Sequence, residues 1–105
     1  MLKNKHIFIT GGAGFIGSTL AGLLLEDNKV TVFDTFQRDS LSARPFAKHP
    51  NLRTIRGDIL DAPAVREAMA GATHVVHCAA IAGIDTVTKS PCTTLRVNMI
   101  GSANV

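Results

Sequence analysis

Three glycines near the amino terminus carry the clearest chemical signal in the sequence. Gly12, Gly14 and Gly17 have the spacing G-x-G-x-x-G. They follow a β-branched and aromatic run, His6–Thr10, and open an amphipathic segment, Phe15–Glu26, with helical periodicity. At such a strand-to-helix turn, glycines let the backbone turn tightly and approach a pyrophosphate, and the free N–H groups of the helix favour the anion. We therefore predict a dinucleotide-binding loop rather than a glycine-rich turn without a ligand.

An acidic residue stands at the end of the next strand-like run, Val30–Asp34. The carboxylate of Asp34 can accept hydrogen bonds from both ribose hydroxyls of an adenosine, and it would repel a 2′-phosphate. This pattern predicts NAD rather than NADP. Arg38 follows closely and could pair with a phosphate instead, although an exposed arginine after a strand usually only solvates a loop.

A third polar position follows the strand-like run Leu52–Arg56, in the sequence Gly57-Asp58-Ile59. A short polar side chain at the carboxyl end of a parallel strand faces the crevice where ligands bind. We expect Asp58 to accept from the adenine amino group and Ile59 to pack on the ring. The alternative is an ordinary turn, because Gly-Asp is common in turns.

The histidines and cysteines could suggest a metal site, but their spacing does not favour one. On a strand, His74 and His77 point to opposite faces, and Cys78 has no second cluster to complete a ligand set. We interpret the histidines as core or strand-end polar residues. Cys78 and Cys92 are interpreted as two reduced thiols, since two cysteines do not make a disulfide framework.

These positions require an alternation of strands and helices to bring them together. Asp61 is expected to cap a helix that has Pro63 in its first turn and ends before Gly71. A weak helix, interrupted by Pro45, and a last helix opened by Ser90-Pro91 complete the pattern. The predicted strands are His6–Thr10, Val30–Asp34, Leu52–Arg56 and Thr73–Ala79; the predicted helices are Phe15–Glu26, Asp39–Lys48, Ala64–Ala70 and a segment from Pro91 towards Val105. Four β–α units imply an α/β fold, a Rossmann-type doubly wound parallel sheet with right-handed crossovers.

Length and composition limit the alternatives. The chain has 105 residues, 46% hydrophobic and 18% charged, which is typical of one globular domain and not of a disordered chain. A net charge of +3 without a basic run does not indicate nucleic acid, and no apolar run approaches the length of a signal or membrane segment. A cytoplasmic protein is therefore expected. Since a doubly wound sheet normally has about six strands, we expect residues 1–105 to be the amino-terminal part of a larger NAD-binding domain.

Taken together, these residues resemble the extended short-chain dehydrogenase/reductase family, and within it the NAD-dependent epimerase/dehydratase branch. The run T-G-G-A-G-F-I-G from Thr10 is similar to the T-G-x-x-G-x-x-G fingerprint of the family. The run H-C-A-A-I-A-G from His77 follows its H-x-A-A-x-A-G pattern, and the run from Asn98 to Asn104 matches N-x-x-G-[TS]-x-N. The resemblance implies that Gly11, Phe15 and Ile16 join the loop glycines in holding NAD. It also implies that Ala79 and Ala80 line the nicotinamide side and that Asn98 braces the wall of the site.

The resemblance also implies a function, with two departures. The family acts on nucleotide sugars by hydride transfer to and from NAD, using a Y-x-x-x-K pair with a nearby Ser or Thr. This chain contains no tyrosine, and a loop position that is often serine in nucleotide-sugar epimerases is Val87. No catalytic residue is therefore assigned, and the 105 residues alone are expected to be inactive.

Other interpretations remain open from the residues alone. One is a hydroxysteroid or sterol dehydrogenase of the same extended family, and another is a non-catalytic dinucleotide-binding module. The reading frame after Val105 distinguishes the last of these, because a Y-x-x-x-K there would restore an enzyme. The resemblance further implies a homodimer formed through the helix that begins at Pro91 and a following helix that these residues lack. In that arrangement the fourth strand is central in the full fold, and it becomes an edge in these residues.

Overall fold

The fold is a single parallel sheet of four strands in the order β3-β2-β1-β4. We describe residues 2–105 from a computed structural model. In the register of the sheet, Ile7 of β1 lies beside Val30 of β2 on one side and beside His74 of β4 on the other. The strands are β1 (His6–Thr10), β2 (Lys29–Asp34), β3 (Leu52–Arg56) and β4 (His74–His77). Because all four run in parallel, their carboxyl ends meet at one edge, where a doubly wound sheet binds its ligands.

The alternation of side chains in β1 divides the core between the two faces of the sheet. Ile7 and Ile9 pack on one face with Ala21 of helix α1 (Phe15–Leu24). Phe8 points to the other face, where the ring of Phe33 lies 5.8 Å away between centroids, together with residues of helix α2 (Ala62–Met69). Helices thus cover both faces of a parallel sheet, which confirms the predicted Rossmann-type doubly wound class.

Local signals set the ends of α2 as the sequence predicts. The Oδ1 of Asp61 accepts a hydrogen bond from the backbone N–H of Ala64 at 3.1 Å, and proline lies in the first turn. After the helix, Gly71 has φ +83°, a left-handed conformation that glycine adopts without strain. By contrast, α1 ends at Leu24, before the predicted Glu26.

The predicted helix over Asp39–Lys48 is wrong. Turns connect β2 to β3 through residues 35–51, so this crossover has no helix in the structure. The carboxylate of Asp39 accepts hydrogen bonds from the backbone N–H groups of Leu41 and Ser42 and from the hydroxyl of Ser42. An Asp at the start of a helix accepts bonds of the same kind, so they do not explain the missing helix. Pro45 does, because it has no N–H and disfavours the helical conformation of the residue before it. The bonds that Asp39 accepts, chiefly that from the Ser42 hydroxyl, lower the pKa of Asp39.

The carboxyl-terminal part is also more broken than predicted. A helix over Ile84–Lys89 (α3), which the sequence pattern does not reveal, follows Gly83 with φ +101°, and it contains Val87, which the resemblance places in a loop. The predicted final helix is divided into α4 (Pro91–Arg96), a π-helical turn (Val97–Gly101) and α5 (Ser102–Asn104). Ser90 precedes α4, but its side chain makes no capping hydrogen bond. Because a residue before proline is disfavoured in the helical region, Ser90 separates α3 from α4.

Strand β4 lies at the edge of the sheet formed by the described residues. It pairs with β1 only, and three of its four residues are exposed. The strand has four residues, fewer than the predicted Thr73–Ala79, and its expected place at an edge in this chain is confirmed. Within residues 2–105, no helix is both long and apolar enough to span a membrane.

Candidate functional site

The loop after β1 contains several glycines, and the structural reason for glycine differs from one position to another. Gly11 has φ +67°, and a Cβ placed there would lie 2.6 Å from the backbone nitrogen of Ala79. A Cβ on Gly12 would lie 2.6 Å from the side chain of Val32, and one on Gly17 would lie 2.5 Å from the carbonyl oxygen of Gly11. These three glycines are required by backbone conformation or by close packing within the chain.

Gly14 differs from these three glycines. It is the N-cap of α1, with φ −73° and ψ 175°, which any residue can adopt. A Cβ there would meet one neighbour within 4 Å, the carbonyl oxygen of Gly11 at 3.3 Å. The fold therefore constrains this position less than the other three, whereas close approach of a ligand to the loop backbone would require glycine.

The helix that Gly14 caps offers hydrogen-bond donors to a ligand. The backbone N–H groups of Phe15, Ile16 and Gly17 have no acceptor among the described residues, as expected for a first turn. Phe15 and Ile16 are 74% and 71% exposed. The guanidinium of Arg44 lies 5.8 Å from the centroid of the Phe15 ring. Free donors at the positive end of a helix dipole suit an anionic group.

Asp34 is tied directly to this loop. Its Oδ2 accepts a hydrogen bond from the N–H of Ala13 at 3.0 Å, and its Oδ1 accepts one from the N–H of Phe36 at 2.9 Å. The N–H of Ser40 donates to the carbonyl of Ala13 at 2.7 Å, so the loop is held from both sides of Ala13. An ionised carboxylate offers about four acceptor positions, so two remain for ribose hydroxyls. Sequence reasoning missed this contact of Asp34, because no local pattern reveals a bond to Ala13.

The cation placed opposite Asp34 is Arg56 rather than Arg38. Arg56 is paired with Asp34 in the register of β2 and β3. Its guanidinium carbon lies 5.2 Å from the centroid of the Phe36 ring, and it donates to the carbonyl of Thr35 at 3.2 Å. Arg38 is exposed and makes no side-chain hydrogen bond or cation–π contact with the described residues. Arg56 ends the predicted strand β3, as Asp34 ends β2. This shared position could have identified Arg56 as the arginine next to Asp34.

The Gly57-Asp58-Ile59 segment reaches the same edge, with one correction. The N–H of Gly57 donates to the carbonyl of Asp34 at 2.9 Å, and the exposed Asp58 accepts from the N–H of Leu60. The side chain of Ile59 is only 5% exposed and belongs to the core, because it packs where Gly101 leaves room. The expectation that this side chain packs on an adenine ring is therefore corrected. Ile59 can instead offer its backbone N–H, which has no acceptor among the described residues.

The end of β4 forms the other wall beside Gly11. The N–H of Ala79 donates to the hydroxyl of Thr10 at 3.3 Å, and Ala80 is exposed. The side-chain amide of Asn98 holds the next residue in two directions. Its Oδ1 accepts from the N–H of Ile81 at 2.8 Å, and its Nδ2 donates to the carbonyl of Ile81 at 3.0 Å. Asn98 thus fixes the backbone that follows Ala79 and Ala80.

The histidines of β4 are engaged separately. The Nδ1 of His74 contacts the hydroxyl of its neighbour Thr73, while the ring of His77 lies between Thr10 and Ser102. Among residues 2–105, no three His, Cys, Asp or Glu side chains are grouped as metal ligands.

A shallow depression, open to solvent, lies at the amino ends of the strands, opposite the carboxyl ends where the predicted site residues lie. Its lining includes Lys3, His6, Asn28 and Thr73, close to the amino ends of the strands. The amide of Asn28 is already bonded to backbone groups, so this side chain serves the fold. The predicted site residues lie at the other edge, and the depression contains none of them.

The two thiols provide a test of where β4 ends. Burial raises the pKa of the Cys78 thiol, whereas Cys92 is exposed. Because the thiolate is the reactive form, we expect iodoacetamide at about pH 8 to modify Cys92 well before Cys78. Peptide mass spectrometry over time measures both rates, and Cys92→Ser isolates the slow reaction. Faster alkylation of Cys78 would contradict its placement.

Comparison with known proteins agrees with this geometry. The model of the NAD dependent epimerase/dehydratase family matches residues 7–105. The chain is 39% identical over 106 aligned residues to a dTDP-glucose 4,6-dehydratase of Streptomyces niveus, covering 92% of this chain and 32% of that protein.

Solved structures give the same result. A UDP-N-acetylglucosamine 4-epimerase from Methanobrevibacter ruminantium M1, in complex with UDP-N-acetylmuramic acid, superposes with a TM-score of 0.88 and 31% identity, over 97% of this chain and 33% of that one. The UDP-glucose 4-epimerase of Thermus thermophilus, in complex with NAD, gives 0.79 and 30%, over 94% and 32%. The chain therefore spans about a third of the length of these relatives. Since the family model covers nearly every residue from β1 onward, the chain belongs to the NAD dependent epimerase/dehydratase family.

Proposed function

We propose that this chain binds NAD and forms the cofactor-binding part of a nucleotide-sugar epimerase or dehydratase. The observation that carries the proposal is Gly14. A Cβ there would meet a single atom, the carbonyl oxygen of Gly11 at 3.3 Å, and the position lies at the amino terminus of α1 beside three N–H groups that have no acceptor among the described residues. A pyrophosphate needs both features, because its oxygens must come close to the backbone and must be met by donors.

The adenosine half would bind along the ends of β2 and β3. Asp34 retains acceptor capacity for the ribose hydroxyls, while its contact with Ala13 keeps the carboxylate beside the pyrophosphate loop. Asp58 and the N–H of Ile59 present an acceptor next to a donor. The Watson–Crick edge of adenine has the complementary order, an amino donor next to a ring-nitrogen acceptor. Asp34 would disfavour a 2′-phosphate, so we propose NAD rather than NADP.

The nicotinamide half would lie against Ala79 and Ala80, with Asn98 holding the adjacent backbone. NAD, when bound, supplies the acceptor and donor of hydride. Residues 1–105 include no tyrosine, so we propose that the groups that move the proton of the sugar hydroxyl lie outside these residues. The relatives are named for nucleotide sugars, which favours that substrate class over a steroid.

Turnover by the protein as encoded tests the function. The purified protein is incubated with NAD and a panel of UDP- and dTDP-hexoses, and the products are separated by chromatography. We expect a 4-epimer or a 4-keto-6-deoxy sugar without net consumption of NAD, because the cofactor is regenerated. Residues 1–105 alone should show no epimerase, dehydratase or dehydrogenase turnover. Turnover by that pure segment would require another proton carrier, and Asp85 or Thr86 would be examined first.

A homodimer in the cytoplasm completes the proposal. Leu95, Met99 and Ile100 are large apolar residues exposed on α4 and the π-helical turn. Burying such a face against a second copy would remove apolar area from water. Light scattering of the protein should give the mass of a dimer, and a stable monomer at high micromolar concentration would contradict it.

A further inference from the structure

A row of polar side chains crosses the end of the sheet, from β1 through β4 to the π-helical turn. The hydroxyl of Thr10 contacts the Nδ1 of His77 at 2.5 Å, and the Nε2 of His77 contacts the hydroxyl of Ser102 at 2.9 Å. The Ser102 hydroxyl donates to the carbonyl of Asn98 at 2.6 Å. Thr10 immediately precedes Gly11, and Asn98 holds Ile81, so both ends of the row adjoin the proposed cofactor site.

The directions of these hydrogen bonds follow from the number of protons. Ser102 has one hydroxyl hydrogen, which it donates to Asn98, so it must accept from the Nε2–H of His77. In a neutral imidazole, Nδ1 then carries a lone pair and accepts from the hydroxyl of Thr10. The same Thr10 oxygen accepts from the N–H of Ala79. Every donor in the row has one acceptor, which defines a single tautomer of His77.

We propose that His77 is a positioning residue that sets the wall formed by Ala79–Ile81 against the glycine loop. The wall is fixed at one end by Thr10 through Ala79 and at the other by Asn98 through Ile81. His77 connects these two anchors, because its ring nitrogens project in different directions and can bond to both hydroxyls at once. In glutamine both polar atoms lie at the tip of a longer, flexible chain, whereas the rigid ring of histidine places Nδ1 near the backbone and Nε2 at the tip. The glutamine amide is therefore not expected to bond to both hydroxyls at once.

The inference rests on the proposed function, since the wall would hold the nicotinamide half of NAD. Substitution of His77 should therefore weaken the binding of NAD without weakening that of ADP-ribose, which lacks nicotinamide. Loss of about one hydrogen bond corresponds to a roughly three- to tenfold weaker NAD affinity. A residue that only supports the fold would change both affinities together.

The experiment compares His77→Gln with His74→Gln in the protein as encoded, using titration calorimetry with NAD and with ADP-ribose. His74 lies on the same strand, and its Nδ1 contacts only the adjacent Thr73, so its variant is a matched control. We expect the affinity for NAD relative to that for ADP-ribose to fall for His77→Gln and to be unchanged for His74→Gln. Thr10→Val should reproduce the loss, and Thr10→Ser, which keeps the hydroxyl, should restore it.

Two results would overturn the assignment. One is an unchanged ratio in His77→Gln while the unsubstituted protein binds both ligands, in which case the proposed function stands and only the positioning role fails. The other is a nitrogen-15 spectrum that shows the proton of His77 on Nδ1, which would contradict the row directly. Binding of neither ligand by the unsubstituted protein would instead remove the proposed function, and the positioning role with it.

Discussion

Replacement of Gly14 by valine is expected to weaken NAD binding strongly while the protein stays folded. The backbone at Gly14 suits any residue, and a Cβ there meets only the carbonyl oxygen of Gly11, at 3.3 Å. The isopropyl group would instead occupy the space proposed for the pyrophosphate. Overpacking costs about 1–3 kcal/mol, which corresponds to a loss of roughly 5- to 150-fold in affinity. Titration calorimetry with NAD measures the loss.

Gly17→Val is the control for this substitution. Its Cβ would lie 2.5 Å from the carbonyl oxygen of Gly11 and 2.7 Å from the Cα of Gly12, so the loop itself must move. We expect this variant to lower the free energy of unfolding by more than Gly14→Val does, because the contact at Gly14 is 3.3 Å. Circular dichroism during thermal unfolding separates the two. Retention of full NAD affinity by folded Gly14→Val would show that the pyrophosphate binds elsewhere.

Asp34→Ala is expected to reduce the preference for NAD over NADP. Removal of the carboxylate removes the repulsion of a 2′-phosphate, and like charges placed together cost several kcal/mol. The ratio of the two affinities should therefore fall by about 100-fold. The affinity for NAD itself should also fall, because Ala13 loses the acceptor that holds the glycine loop.

Asp34→Asn separates these two effects. The amide keeps one oxygen acceptor for a backbone N–H and removes the charge, so it should relax the preference with a smaller loss of NAD affinity. The affinities for NAD and NADP are measured for the unsubstituted protein and for both variants, and they show how much of each effect depends on the charge. If the unsubstituted protein already prefers NADP, the role of Asp34 is wrong, and Arg56 or Arg38 becomes the residue that selects the cofactor.

The parts of the fold that the sequence predicts are those specified by short-range patterns. Strands β1 and β3 have the predicted bounds, and Asp61 caps α2 as expected. Each depends on a run of β-branched residues or on a side chain that bonds within its own turn. The glycine loop is in the same class, because its spacing follows directly from a strand-to-helix turn.

One failure has a local cause, because Pro45 has no N–H and residues 35–51 form turns in place of the predicted helix. The other failures come from interactions that the local pattern does not contain. Ile59 is buried by Gly101, which is distant in the sequence, and the contact between Asp34 and Ala13 likewise joins separate elements. Partners of this kind are brought together by the sheet, and a linear pattern cannot identify them.

Backbone amide NMR during titration with NAD tests the central claim most directly, because the two edges of the sheet predict different residues. If NAD binds as proposed, the largest shifts will be at the N–H groups of Phe15, Ile16 and Gly17, at Ile59, and at Ala79 and Ala80. The amino edge, including Lys3 and Thr73, should be unaffected. Saturable shifts confined to the amino edge, or no shifts at millimolar NAD, would contradict the assignment of this chain as a dinucleotide-binding domain.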